Sequence, residues 1–450
     1  MNVATDLSGV IAQSMCIGCG VCEHADPSVT VRLHPKKLIF EPDGRGNADA
    51  AGVCPAVRVD FADLQARLFP GAEPTEYGVV ESVMLAQSTD RDRNLKASSG
   101  GIIKELLLEL LSRDDVDGAI ALGHVGGIEF EPQLLTQPDD VDRLPGSIYH
   151  NLSQSKALEI LKRHDGRFVL VAIPCQLEGL YNYISRMQPE LAERIHTTIG
   201  LLCGWQYSHH ALKAICEFKG LDFDLLEDIS YRGEGPVGKM RVVAGGKEAL
   251  VSRRVDFEYQ VAFDRSFNTP RCHLCIDHSN FLADIVVGDA WLPSTIHTKT
   301  GISLVINRRA ETEKLMRDLA ARGSILVSDV SVEEIKESQK PRIAFGDFAY
   351  AYAQYLDELG LHRPDMTGPN VHAANLVSKK EVAFFHRELM RKLELQWAGR
   401  YRYLKRRKAT KELRRFLARY VEWFLVRVVK IKSLLGQRRE LPKEKVRIFR

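Results

Sequence analysis

The chain has 450 residues, 45% of them hydrophobic and 27% charged, with a formal net charge of +3. That length predicts a sizeable core in two or three domains, and the composition is that of an ordinary soluble globular protein. No run of about 18 apolar residues occurs, which argues against a transmembrane helix. The opening residues MNVATDLSGVIAQSMCIG lack the basic start and long apolar stretch of a signal peptide, so a cytoplasmic chain is expected.

The small net charge hides an asymmetry. Residues 379–450 hold 24 Lys and Arg against 7 Asp and Glu, a net +17, which leaves −14 on the other 378 residues. An acidic body and a basic tail face different partners. Nine cysteines, an odd number, fit metal ligation in a reducing compartment better than a full disulfide set.

In chain order, residues 1–68 read as a small cysteine-bearing module, closed by the Pro- and Gly-rich linker FPGAEPTEYG at 69–78. Strand and helix signals then alternate. VMLAQS (83–88), GAIALG (118–123), FVLVAIP (168–174) and TIGLLCG (198–204) read as strands. SSGG (98–101) opens a helix, and two more are predicted around 153–164 and 209–219. The alternation predicts an α/β fold with a largely parallel sheet. Residues 225–265 look like an antiparallel hairpin region. ISLVINR (302–308), a helix over 310–323, SILVSDV and VEEIKES complete the α/β pattern. The stretch from 379 reads as a basic amphipathic helical tail.

Two cysteine constellations carry the chemistry. Cys16, Cys19 and Cys22 are spaced C-x2-C-x2-C, and Cys54-Pro55 follows 31 residues later. A tight triplet suits a ferredoxin-type [4Fe-4S] cubane, whose neighbouring irons each take one thiolate, whereas zinc more often uses two C-x-x-C pairs. Gly18 and Gly20 are expected to let backbone amides approach the sulfides. The second constellation is Cys175, Cys203, Cys272 and Cys275. The first two end predicted parallel strands, where ligands of open α/β sheets gather. From spacing alone, two core cysteines and an incidental pair explain them as well as a metal cluster does. Cys216 reads as a core cysteine on a helix.

The segments AIPCQLEGLYNYI, GLLCGWQ, RCHLCIDHSNFLADIVVGDAW and GISLVINRR, in that order, resemble the coenzyme F420 hydrogenase/dehydrogenase beta-subunit family. SSGGIIKELLLELL and PGSIYHNLSQSKALEIL resemble its N-terminal region. The resemblance covers roughly residues 10 to 340 and includes the relatives of 7-hydroxymethyl chlorophyll a reductase. It implies an iron–sulfur flavoprotein with FAD, with Cys175, Cys203, Cys272 and Cys275 as ligands of a [4Fe-4S] cluster beside the flavin. It implies an N-terminal-like domain at 79–200 and a C-terminal-like domain at 201–345. Many members write Cys-His-Gly where this chain has Cys203-Gly204-Trp205, a departure that bears on substrate contacts.

Amides and hydroxyls at a helix start can hold a phosphate or a flavin oxygen, although helix capping alone also explains Ser98-Ser99-Gly100-Gly101. With the resemblance, Ser99, Gly100, Gly101, Ser147, Asn151, Ser153, Gln176 and Asp289 become the expected flavin contacts, with Tyr149 nearby. The absence of a G-x-G-x-x-G after a first strand argues against a Rossmann site. Asp289 and Asp277 read equally as functional or capping residues. His209 and His210 are adjacent on a helix and so diverge by about 100°, which argues against a shared metal. His273 reads as a partner for a cluster thiolate or as an exposed loop histidine.

Flavin moves two electrons at once and iron–sulfur clusters move one. The expected function is therefore electron transfer between a ferredoxin-like carrier and a two-electron substrate through two [4Fe-4S] clusters and FAD. The alternative is a non-catalytic electron-transfer or docking subunit of a larger redox complex; a zinc-stabilised binding module is a third reading. The tail, with Trp397, Phe416, Tyr420, Trp423 and Phe424, suggests peripheral contact with an anionic membrane, docking on an acidic partner, or packing on the acidic body. No nucleic-acid motif accompanies its charge.

Overall fold

A computed structural model describes residues 5–421, apart from 234–237, 254–255, 264–265, 368–376 and the single positions 403, 407, 411, 415 and 419. Eight strands form the central sheet: β1 (Ser82–Ser88), β2 (Gly118–Gly126), β3 (Glu129–Leu135), β4 (Phe168–Ala172), β5 (Ile195–Leu201), β6 (Ile285–Asp289), β7 (Ser303–Asn307) and β8 (Ile325–Val330). Their order is β8-β1-β7-β6-β5-β4-β2-β3. The middle strands β2, β4, β5 and β6 run parallel, and β7, β1, β8 and β3 join antiparallel.

The sheet is thus mixed rather than largely parallel. No helical segment separates β6 from β7, so the chain folds straight back. Strand β3 gives no clear sequence signal because Pro132 interrupts it. Proline is tolerated there because β3 is an edge strand.

Alternation along the strands feeds two cores. Val83, Ile120, Leu170, Val286 and Leu304 face one. Met84, Ala119, Val169, Ile285, Val287 and Val305 face the other, where helix α1 (Ile102–Leu111) packs through Ile102, Leu106 and Leu110. Helix α2 (Pro174–Met187) follows β4 directly and buries Leu177, Leu180 and Ile184 in the first core. The region 226–252 is a three-stranded antiparallel sheet.

The N-terminal module does not stand apart. Strand Arg58–Asp60 pairs in parallel with Asp365–Thr367, far along the chain. Helices α3 (Glu333–Glu358) and α4 (Lys379–Trp397) share an apolar core with Leu7, Val10, Cys16, Cys22 and Cys54 through Tyr352, Leu356, Leu389 and Leu393. The described residues up to Gly399 form one compact unit, and a second begins at Arg400. The expected boundary at 200/201 falls inside β5, and the first helix of the expected tail belongs to the body.

Trp397 accordingly lies with the body, with Lys37 Nζ 5.6 Å from its ring centre. Phe416 and Tyr420 of the second unit are exposed, and Trp423 and Phe424 lie outside the described residues. Among the described residues no helix is long and apolar enough to cross a membrane.

Candidate redox site

The four N-terminal cysteines converge. Cys16, Cys19, Cys22 and Cys54 line a small cavity, walled otherwise by Leu7, Val10, Ile17, Val21, Pro42 and Ala56. Burial pushes the Cys16 thiol up to about 12 and Cys54 up to about 11, and Cys22 rises further for the same reason. Such thiols ionise only if a bound cation offsets the lost solvation. The Gly18 amide donates to Cys16 Sγ at 3.4 Å, as expected of an amide near a thiolate.

The two glycines have a further reason to be glycine. Both have left-handed φ, 74° and 75°. A Cβ on Gly18 would lie 2.1 Å from the Leu152 carbonyl oxygen, and one on Gly20 would lie 2.5 Å from Ser155 Cα. The triplet loop is therefore seated against residues 151–155, and the Gln154 amide donates to the Gly18 carbonyl at 2.8 Å.

The second set gathers at the carboxyl ends of the parallel strands. Cys175 sits in the first turn of α2 after β4, and Cys203 lies two residues past β5. Cys272 and Cys275 belong to a short 3-10 turn, Pro270–Leu274, and its end. The four thiols are close enough that Cys203, Cys272 and Cys275 add to the burial that raises Cys175. Local bonds fix the loop. Thr269 Oγ1 lies 3.0 Å from Cys272 Sγ, the Gln206 amide donates to the same sulfur at 3.3 Å, and the Cys203 amide donates to the His278 carbonyl at 3.2 Å. Among the described residues no three His, Cys, Asp or Glu side chains are arranged to hold a single metal ion. A polynuclear cluster spreads its thiolates over several metal atoms and takes a wider set.

One turn of α2 separates the two sets. Four residues after Cys175, a Cβ on Gly179 would lie 3.0 Å from Cys19 Sγ. Leu274, between Cys272 and Cys275, is buried in the same core as Cys16, Cys22 and Cys54. His273 is buried as well, 1% exposed, with its ring against Trp205 and Phe385 at 5.4 and 5.0 Å. The exposed-loop reading of His273 is thereby corrected: α4, which carries Phe385, covers the loop.

On the other side of the second set opens a cavity of about 1040 Å³. Cys203, Gly204 and Trp205 form part of its wall, with Leu201, Val287 and Asp289 from the ends of β5 and β6. Its volume is at the upper end of ordinary ligand sites and suits a dinucleotide-sized group. Ser99, Gly101, Ser147, Gln176, Asp289 and Tyr149 line it, together with the first turn of α1, whose amides have no intrahelical acceptor.

Three expected contacts lie elsewhere. Gly100 is packed behind the wall, where a Cβ would come 2.5 Å from the Ala86 carbonyl oxygen, and its amide donates to Ser303 Oγ at 2.9 Å. Asn151 is fully buried on the N-terminal side. Its Oδ1 accepts from the Phe40 amide at 2.6 Å, and its Nδ2 donates to Gln206 at 3.4 Å. The Ser153 hydroxyl accepts from the Ser155 amide at 3.4 Å, and the residue is not on the cavity wall. All three follow cavity-lining neighbours in sequence, Ser99, His150 and Leu152, without reaching the wall themselves.

Asp289 has a definite partner: Arg232 Nη1 donates to its Oδ2 at 2.7 Å. Burial opposes the charge on Arg232, but Asp289 and Tyr149 outweigh it and keep the guanidinium protonated. Trp205, noted in the sequence as a departure that bears on substrate contacts, also lines the cavity; Arg232, Arg253, Tyr207 and Phe263 do so without a sequence signal, Arg232 and Arg253 coming from the antiparallel region and its exit, which carries no motif.

Asp277 is buried, accepts from the Phe281 amide at 3.0 Å through both oxygens, and is pushed by burial up to about 8. His209 and His210 each bond a backbone carbonyl, of Asn151 and Lys36, and share no site. Cys216 is a core residue on its helix.

Comparison with known proteins fits this architecture. The family model for the N-terminal part of the coenzyme F420 hydrogenase/dehydrogenase beta subunit matches residues 83–159, and the model for its C terminus matches residues 165–333. The chain is 26% identical over 270 residues to the coenzyme F420 hydrogenase beta subunit of Methanothermobacter thermautotrophicus, covering 58% of this chain and 87% of that protein. It is 25% identical over 318 residues to an F(420)H(2) dehydrogenase subunit of Methanosarcina mazei, covering 66% and 82%. A chain of the xenon-derivatised F420-reducing [NiFe] hydrogenase complex from Methanosarcina barkeri has the same fold, with a TM-score of 0.50 and 20% identity over 66% of this chain and 99% of that one. With both family models matched in order across the sheet and the cysteine loop, the chain belongs to the coenzyme F420 hydrogenase/dehydrogenase beta-subunit family.

Proposed function

We propose that this chain is an iron–sulfur flavoprotein oxidoreductase that passes electrons between a one-electron, ferredoxin-like carrier and a two-electron substrate. Cys16, Cys19, Cys22 and Cys54 would hold one [4Fe-4S] cluster, Cys175, Cys203, Cys272 and Cys275 a second, and the 1040 Å³ cavity FAD. The observation that carries this reading is the contiguity of the three places. Helix α2 presents Cys175 to one set and Gly179 to Cys19 of the other, while Cys203 lies in the cavity wall. When bound, the clusters supply one-electron steps and the flavin converts them to a two-electron step.

The chain's own residues would do three things. The apolar walls around the N-terminal set, whose four cysteines are buried, would exclude water. The α1 amides with Ser99 and Ser147 would orient the cofactor's polar groups. The Arg232–Asp289 pair fixes a charged side chain on the cavity wall.

Anaerobic purification is expected to give a brown protein with flavin and about eight irons per chain. Cys175→Ala should lose the cluster of the second cysteine set and keep that of the N-terminal set. A colourless zinc protein, or a Cys175→Ala variant with its iron undiminished, overturns the assignment.

A second reading is favoured by the names of the relatives, which are subunits of hydrogenases and dehydrogenases. The chain would then be an electron-transfer or docking subunit without a small substrate of its own. Reduced protein that passes electrons to a protein partner and to no small acceptor, coenzyme F420 included, would favour it.

A further inference from the structure

Between the two cysteine sets lies an ion pair that neither binding nor folding accounts for. Arg271 Nη2 donates to Glu178 Oε2 at 2.9 Å, and the two side chains are 2% and 0% exposed. Arg271 precedes Cys272 in the chain. Glu178 follows Cys175 by three residues, hence on the same side of α2, and precedes Gly179, the residue against Cys19.

The pair is costly. Arg271 Nε and Nη1 and Glu178 Oε1 have no hydrogen-bond partner among the described residues. Each buried ion carries a desolvation penalty, and such pairs generally stabilise no better than apolar residues of the same volume. It nevertheless borders both sets: Arg271 adjoins Cys272, and Glu178 stands between Cys175 and Gly179, where an added Cβ would lie 3.0 Å from Cys19 Sγ.

Iron–sulfur potentials depend on local net charge, hydrogen bonds to sulfur and solvent exposure. In this water-poor region, fixed charges are screened weakly. We propose that Arg271 and Glu178 set the reduction potentials of both clusters, Arg271 raising them and Glu178 lowering them. The proposal rests on the two-cluster reading above. An added electron makes a cluster more negative, so a neighbouring guanidinium stabilises the reduced form and a carboxylate destabilises it. One pair placed between two sets adjusts both, which keeps their relative order while moving them together.

The test is a redox titration of the full chain, purified anaerobically and followed by electron paramagnetic resonance. Glu178→Gln, which is nearly isosteric, should raise the midpoint potentials of both clusters. The expected change is roughly tenfold in the reduced-to-oxidised ratio, about 59 mV for a one-electron couple. Arg271→Gln should lower them, and Arg271→Lys should restore the parent values. A purely structural role predicts no opposed signs. Potentials unmoved in Glu178→Gln, or moved the same way in Glu178→Gln and Arg271→Gln, with parental iron content, overturn the proposal and leave the two-cluster reading standing. A parent protein without iron overturns both.

Discussion

Gly179 and Cys19 meet across the seam between the N-terminal segment and the body: a Cβ at 179 would lie 3.0 Å from Cys19 Sγ and 3.1 Å from its Cβ. That approach is tighter than ordinary van der Waals contact, and both flanks are buried. Gly179→Val places two further methyl groups there, and overpacking of this kind costs roughly 1–3 kcal/mol. The expected outcome is displacement of Cys19 and loss of the N-terminal set's iron, with flavin retained. Iron and flavin analysis of the purified variant checks it. Iron equal to the parent's would show that the seam yields without disturbing the ligand.

Removing the carboxylate from Asp289 deprives the Arg232 guanidinium, whose side chain is 3% exposed, of its ion-pair partner and leaves it beside Tyr149. Breaking a buried pair by deleting one partner costs about 3–5 kcal/mol. Asp289→Ala is therefore expected to lower the urea midpoint and to release flavin more readily. The combined Asp289→Ala, Arg232→Met variant should recover much of the stability and none of the flavin retention. Denaturation with a flavin-release assay separates the two effects. Recovery of both in the combined variant would place Asp289 outside the cofactor's contacts.

Much of this site was legible in the sequence because its chemistry is local. C-x2-C-x2-C marked one candidate set by its spacing, whereas C-x-x-C marked only half of another; the apolar runs ending near Cys175 and Cys203 placed those two at the sheet's carboxyl edge, and the resemblance joined the four. What was not legible depends on contacts far apart in sequence. Arg232 meets Asp289 across 57 residues, and Asp365–Thr367 pairs with Arg58–Asp60 across about 300. No periodicity encodes either. Gly18 and Gly20 looked like cluster ligand-loop glycines, yet the backbone of 151–155 is what forbids a side chain there.

Acid should destabilise the fold through buried histidines. His150 and His209 pack edge to face at 4.6 Å. Burial holds His150 well below its ordinary value and His209 down at about 4. The neutral rings fit their partners: Nε2–H of His150 donates to the Ile128 carbonyl at 3.0 Å, and its Nδ1 faces the Tyr231 hydroxyl at 2.6 Å. Both folded values lie below the unfolded value near 6.5, so the unfolded chain takes up protons first as pH falls. Their contribution is fully present above about pH 6.5 and is lost progressively towards pH 4; for His209 alone it is about 3 kcal/mol. The melting temperature should fall between pH 7 and 5, and His209→Gln should flatten that dependence. An unchanged slope in the variant would assign the acid sensitivity to other groups.

Asn151 gives the sharpest separation between a flavin contact and a structural role. Its side chain joins the Phe40 amide at 2.6 Å to Gln206 at 3.4 Å, and its carbonyl accepts from His209 Nε2 at 2.9 Å. The residue is fully buried and lies behind the cavity wall. Asn151→Ala removes the acceptor for a backbone amide, and an unsatisfied buried donor costs about 1–3 kcal/mol. The N-terminal segment should loosen while the cavity keeps its shape. The expected signature is a lower melting temperature and faster proteolysis within residues 1–68, with flavin affinity equal to the parent's. Ser147→Ala supplies the contrast, since Ser147 lines the cavity and its amide bonds Ser98 Oγ at 2.8 Å; there flavin affinity should fall while stability holds. Loss of flavin in Asn151→Ala at unchanged stability would return Asn151 to the cofactor site.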